Sequence, residues 1–197
     1  MDSALLDLKG RIQNCTRCPL HRSRRLAVPG EGNPLAELAF VGQGPGDRED
    51  YSGRPFVGPA GELFEKLLGR IELERRQIWV TNVTRCKPSA GRLPSAGEIK
   101  ACAPFLLEEL GLIKPKIVCP LGNMALSLLR RKPSRIQDYR GRPLPQEKYF
   151  LFPMLHPAAG LRKATNLPLI EADLQNLKKF LASDPVLTPP PGQESLF

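Results

Sequence analysis

Long apolar runs are missing from this chain of 197 residues. No stretch approaches the ~20 consecutive apolar residues that a membrane-spanning helix needs. The start carries no secretory leader either: Met1-Asp2-Ser3 runs into a charged, amphipathic stretch. Both absences point to a cytoplasmic protein, in a compartment where disulfides are disfavoured. The common phosphate-binding loops are absent as well. Gly42-Gln43-Gly44-Pro45-Gly46 is followed by no Gly-Lys-Ser/Thr, and Asp47 stands where a dinucleotide-binding loop has its third glycine. No internal repeat is visible. Acidic residues are the minority, 20 Asp/Glu against 29 Lys/Arg, for a net charge of +9. That excess predicts attraction to a polyanion, of which nucleic acid is the commonest in cytosol, unless it is only a solubilising face. The cations cluster in residues 1–27, with Arg22, Arg24 and Arg25, and in residues 130–148, with Arg130, Arg131, Lys132, Arg135, Arg140, Arg142 and Lys148.

What is present in an informative pattern is cysteine. Cys15 and Cys18 form a C-x2-C, and Cys86 and Cys102 a C-x15-C some seventy residues later. Four thiolates from two distant segments suit a tetrahedral metal or an iron–sulfur cluster, since soft sulfur selects zinc, copper(I) or iron–sulfur. Disulfides and unrelated buried thiols are the alternatives. Cys119, inside the apolar run Ile117-Val118-Cys119, reads as a small buried hydrophobe.

Four short β-rich runs recur at 38–41, 78–81, 117–121 and 149–155. Each is apolar on consecutive positions, as strands covered on both faces are. Helical patterns lie between and around them at 4–12, 61–69, 95–110, 122–131 and 169–181, and Ser95-Ala96-Gly97-Glu98 is a capping box. Strands alternating with helices predict a three-layer α/β/α sandwich around a four-stranded parallel sheet. The domain is drawn over residues 1–182. Residues 183–197 read as a tail, with Pro189-Pro190-Pro191-Gly192 as an extended spacer and apolar residues returning at Leu196-Phe197.

Open parallel sheets bind ligands beyond the carboxyl ends of their strands. Those ends hold Gly42–Asp50, Thr81-Asn82, Leu121-Gly122-Asn123 and His156-Pro157-Ala158. Each has a plain alternative: a tight turn, a capping asparagine, a structural histidine. Phe56 is either a core plug or a platform for a flat ligand.

In combination, Gly42–Asp50, Gly53-Arg54-Pro55-Phe56-Val57-Gly58, Thr81-Asn82-Val83, Cys86-Lys87-Pro88, Pro120-Leu121-Gly122 and His156-Pro157-Ala158 resemble the family 4 uracil-DNA glycosylases, the iron–sulfur class. The resemblance covers about residues 10–181 and includes the four cysteines. It implies a structural [4Fe-4S] cluster on Cys15, Cys18, Cys86 and Cys102, with zinc as the alternative. It also implies a monofunctional hydrolase of DNA base-excision repair that flips uracil out of single- or double-stranded DNA and leaves an abasic site. Substrate binding falls to Gly42, Gln43, Gly44, Phe56, Asn82 and His156, with His156 as a neutral donor to the departing base. The family's usual Glu is replaced by Gln43, followed by Gly44, so no base is obvious at that point. Glu49 is the nearest acid that could position water. Leu161 and Arg162, in a loop after the histidine turn, are the expected minor-groove wedge and phosphate contact. Gln193, Leu196 and Phe197 resemble the peptides by which repair proteins dock on sliding clamps. A monomer associated with the nucleoid is expected. The competing readings are a member of the same fold with altered specificity or no catalysis, and a zinc-stabilised nucleotide-binding domain.

Overall fold

The computed structural model describes residues 3–186. Its centre is a six-stranded sheet. In chain order the strands are β1 (Glu31–Gly32), β2 (Leu38–Gly42), β3 (Trp79–Asn82), β4 (Ile117–Pro120), β5 (Leu144–Pro145) and β6 (Phe150–Leu151). They lie in the order β1-β3-β2-β4-β6-β5. The inner four are mutually parallel, and β1 and β5 pair antiparallel at the two edges. The expected four-stranded parallel sheet is therefore the core of a mixed six-stranded one. The two extra strands are two-residue pairings, too short to show alternation in the sequence.

Every residue of β2, β3 and β4 is buried, because helices cover both faces. On one face Leu38, Phe40, Ile78, Val80 and Cys119 meet α3 (Pro59–Gly69) and α7 (Leu167–Ala182) through Phe64, Leu67, Ile170, Leu174 and Leu177. On the other, Ala39, Val41, Trp79 and Val118 meet α1 (Ser3–Gln13), α4 (Ala96–Ile113) and α5 (Asn123–Leu129) through Leu8, Ile12, Phe105, Leu106 and Ala125. Period-two alternation along each strand thus feeds two separate cores. Removing one such buried leucine costs about 2–5 kcal/mol. Cys119 is fully buried, as expected, and burial pushes its thiol pKa well up. The Ser95 hydroxyl accepts from the Glu98 amide and the Glu98 carboxylate accepts from the Ser95 amide, so the capping box opens α4 as read.

Two short helices escaped the sequence reading: α2 (Asp47–Ser52) and α6 (Pro157–Arg162). The expected loop bearing Leu161 and Arg162 is the last turn of α6. Pro157 at its first position and His156 at its cap make that turn helical. The order of strand addition reverses at β2, which has β3 on one side and β4 on the other. That is the topological switch point at which such sheets open a crevice.

Candidate active site

The four carboxyl ends of the parallel strands meet there. Gly42 and Asn82 are register partners on β2 and β3. A Cβ on Gly42 would lie 2.5 Å from the Asn82 amide oxygen and 2.7 Å from the Phe56 ring, so only glycine lets these two side chains close on the strand end. The Phe56 ring stacks on His156, with centroids 5.8 Å apart and planes 22° from parallel. Gly122, at φ 87°, accepts its left-handed bend without a side chain and donates its amide to Met154 O, which brings the β4 exit alongside His156. Gly42, Phe56, Asn82 and His156 therefore form one contiguous site.

Asn82 is 2% exposed. Among the described residues its side-chain amide has no hydrogen-bond partner. The amide is not among the fully enclosed unpartnered side-chain atoms of the described residues, which are Arg75 Nε, Trp79 Nε1 and Arg85 Nε, so it opens to the crevice rather than being sealed in the core. It offers two donors and one acceptor at the strand end.

His156 caps α6, its Nδ1 accepting the Ala158 amide at 3.1 Å. The proton therefore resides on Nε2, which is left as the ring's donor. Enclosure of the ring lowers its pKa to about 4, and the neighbouring Arg162 lowers it further in the same direction. The imidazole is neutral through the physiological range.

Phe56 is held at φ 54°, a left-handed conformation that costs a bulky residue about 1–3 kcal/mol. Its surroundings enforce the strain. Arg75 donates to the carbonyl oxygens of Pro55 and Phe56. Glu31 in turn pairs with Arg54 at 2.8 Å and with Arg75 at 3.6 Å. Gly61 of α3 lets the Phe56 carbonyl come close: a Cβ there would sit 2.0 Å from that oxygen. Phe56 is 5% exposed and packs on Phe64 as well as His156, so it plugs the core at the edge of the site.

Glu49 is engaged by three backbone amides. Its Oε1 accepts the amides of Val57 (2.8 Å) and Gly58 (2.6 Å), and its Oε2 that of Gly46 (3.1 Å). The carboxylate clamps the loop after β2 to the Phe56 loop. Gln43 is half-buried; its carbonyl accepts both the amide (3.1 Å) and the hydroxyl (3.3 Å) of Thr84. A Cβ on Gly44 would lie 2.4 Å from the Thr84 hydroxyl, so Thr84 is a site neighbour that the sequence reading missed. Leu161 is 53% exposed and Arg162 is exposed, both at the end of α6 beside the site. Gln193, Leu196 and Phe197 lie outside the described residues.

Cys15, Cys18, Cys86 and Cys102 are free thiols lining one cavity with Ile12, Arg85 and Phe105. Backbone amides of Arg17 and Arg85 donate to the sulfurs of Cys15 and Cys102 at 3.5 and 3.3 Å, and Arg24 donates to Cys86 at 3.2 Å. Burial raises the Cys86 pKa and brings that of Cys102 to about 11, with repulsion from the other sulfurs adding to both and Arg24 and Arg85 opposing. Among the described residues no group of three or more His, Cys, Asp or Glu is arranged to hold a single metal ion. Below this cavity Arg85, 2% exposed, pairs with the equally buried Glu109 at 2.8 Å and donates to the Thr81 hydroxyl, one residue before Asn82. Glu109 also accepts the Gly30 amide at 3.0 Å. Sequence reasoning missed this pair, whose members lie on different elements and carry no motif.

No helix among the described residues is long and apolar enough to cross a membrane. Residues 29–182 match the model of the uracil DNA glycosylase superfamily. The type-4 uracil-DNA glycosylase of Saccharolobus solfataricus is 36% identical over 89% of this chain and 85% of its own. That of Thermotoga maritima is 38% identical over 88% and 93%. The crystal structure of Pedobacter heparinus SMUG2 superposes with a TM-score of 0.55 at 12% identity, covering 94% of this chain and all of that one, a likeness of fold alone. The order of glycine, phenylalanine, asparagine and histidine around one crevice, and relatives of this identity over nearly the whole chain, lead to one conclusion: the chain belongs to the type-4 uracil-DNA glycosylases of the uracil-DNA glycosylase superfamily.

Proposed function

We propose that this protein hydrolyses the N-glycosidic bond of uracil in DNA, the first step of base-excision repair, with the base flipped into the crevice at the end of β2. The observation that carries this is the Asn82 amide, 2% exposed and without a hydrogen-bond partner among the described residues, beside a ring platform and a neutral histidine donor. Uracil offers an N3–H donor and an O4 acceptor on one edge, which a single amide satisfies. Cytosine offers the reverse pattern and would leave buried groups unpaired, at about 1–3 kcal/mol each.

The chemistry follows from these positions. The Phe56 ring supports the flat face of the base, and the Gly42 and Gly44 backbone approaches its edge where no side chain intervenes. As the bond between the sugar C1′ and uracil N1 lengthens, its electron pair moves onto the base, and negative charge accumulates at O2. The Nε2–H of His156 donates there. Water adds to the electron-poor C1′ and loses a proton to solvent, and the uracil anion takes one up at nitrogen, completing an abasic sugar and free uracil. The sugar's cationic character lets a positioned water suffice without a strong base, which fits the amide of Gln43 and the occupied carboxylate of Glu49. Leu161 and Arg162 would contact the duplex from the rim: Leu161 against the unstacked site, Arg162 on a phosphate.

Cys15, Cys18, Cys86 and Cys102 would hold a [4Fe-4S] cluster. Four free thiols around one cavity, three of them receiving N–H donors, are the donor set that such clusters take. When bound, it supplies a tie between the N-terminal segment and the segment after β3, and no step of hydrolysis runs through it. The tail peptide Gln193, Leu196 and Phe197 would dock on a sliding clamp and bring the enzyme to the nucleoid, a reading that rests on sequence alone.

The test is excision from uracil-containing single- and double-stranded oligonucleotides by purified protein with absorbance near 400 nm. Alkali-sensitive cleavage at uracil, sharply reduced in His156→Ala, is the expected result. Folded, coloured protein without cleavage overturns the activity, and colourless protein that binds zinc overturns the cluster.

A further inference from the structure

At the amino ends of the strands lies a groove of about 740 Å³ that the reaction does not use. The second half of α4 forms one wall. The end of α5 and the segment leading into β6 form the other. α5 starts just past the carboxyl end of β4 and runs back along the sheet, so its last residues stand at the end opposite the base site. Lys114 and Pro115 lead into β4, and Lys148 and Tyr149 into β6, at that same end.

The lining combines two characters. Its floor is aliphatic, with Leu110 and Leu129 buried and Leu107 46% exposed to solvent. Its rim carries four cations, Lys114, Arg130, Arg131 and Lys148, against one carboxylate, Glu147. Among the described residues none of the four is in an ion pair. On α4 the neighbouring carboxylates are paired elsewhere: Glu108 with Arg11 and Glu109 with Arg85. Arg130 is held in place by stacking on Tyr139 at 3.9 Å and donating to the Ser134 hydroxyl at 2.9 Å, neither of which neutralises its charge. Uncompensated like charges around an exposed leucine are unfavourable in the free protein and become favourable against an anionic partner with an apolar anchor.

We propose that this groove docks an acidic peptide segment of a partner protein. Aliphatic side chains of the segment seat on Leu107, Leu110 and Leu129, and its carboxylates face Lys114, Arg131 and Lys148. A nucleic acid strand fits less well: it would set charged phosphates over an aliphatic floor, and DNA held at the strand exits lies at the other end of the sheet. This inference is independent of the catalytic reading.

The experiment is fluorescence anisotropy of the full chain with a fluorescein-labelled peptide of repeated Glu-Glu-Leu triplets at low salt. The expected result is saturable binding, weakened about tenfold or more by the double variant Lys114→Glu/Lys148→Glu and by Leu107→Asp, with uracil excision unchanged. All three residues are exposed, and the carboxylate at position 114, the C-cap of α4, should cost little against the helix dipole, so the variants should stay folded with a small drop in melting temperature. The proposal is overturned by absence of binding, or by equal affinity for a peptide with serine in place of leucine. It is also overturned if these variants weaken single-stranded DNA binding as much as peptide binding, since the groove would then serve nucleic acid.

Discussion

Replacing Gly42 with alanine inserts one carbon at the point where the site closes. That carbon would lie 2.5 Å from the Asn82 amide oxygen and 2.7 and 2.9 Å from two Phe56 ring carbons. Ordinary contact for such atoms is about 3.5 Å, so the amide, the ring or both must retreat by about 1 Å. Neither can do so freely. Phe56 is pinned by its strained backbone, by Arg75 and by Gly61, and Asn82 is fixed by its β3 pairing to Gly42 itself. A displacement of about 1 Å at a positioning group costs on the order of 100-fold, or about 2.7 kcal/mol of barrier. The assay is single-turnover uracil release from an oligonucleotide, with thermal unfolding measured on the same preparation. Gly10→Ala serves as control: nothing lies within 4 Å of the added carbon, and its helical position predicts a gain of about 0.5–1 kcal/mol in stability with excision unchanged. Gly42→Ala that folds and excises within about threefold of the parent would refute the claim that Asn82 and Phe56 act from these positions.

Other outcomes follow from the same geometry. Glu49→Gln gives one carboxylate oxygen the wrong polarity for its backbone donors, at about 1–3 kcal/mol, and should lower the melting temperature by about 3–10 °C. Loss of excision with an unchanged melting curve would instead make Glu49 a base. Glu109→Gln leaves the Arg85 charge buried without its partner and should destabilise by about 3–5 kcal/mol, seen as a shifted urea midpoint; an unshifted midpoint contradicts it. His156 has a folded pKa of about 4 against an ordinary 6.5. Its neutral form is the one the fold favours, so its contribution to stability is present above pH 6.5 and is lost as pH falls from there toward 4. The excision profile should stay flat through pH 6.5, and an inflection there belonging to His156 would contradict the capped neutral ring.

Much of this molecule is legible in its sequence, and the rest fails for identifiable reasons. Consecutive apolar residues at 38–41 and 117–121 announce buried strands, because two helix-covered faces demand them. Glycine, asparagine and histidine at the strand ends announce a crevice, because parallel strands laid down on both sides of β2 put those ends together. The clamp made by Glu49 is silent in the sequence, since its partners are backbone amides of Val57 and Gly58, which look the same in every sequence. The Arg85–Glu109 pair is silent for a related reason: burial turns two ordinary charges into a structural link, and burial is a tertiary property. α6 is hidden in the sequence because six residues hold too little periodicity to be seen.

The central claim is that the open amide of Asn82 reads the uracil edge. Its most direct test is the rate of uracil release from a single-stranded oligonucleotide by the parent and by Asn82→Ala under single-turnover conditions. Removing two hydrogen bonds to a buried base should slow release about 100-fold or more while the protein remains folded. Release by folded Asn82→Ala within about threefold of the parent would contradict the account.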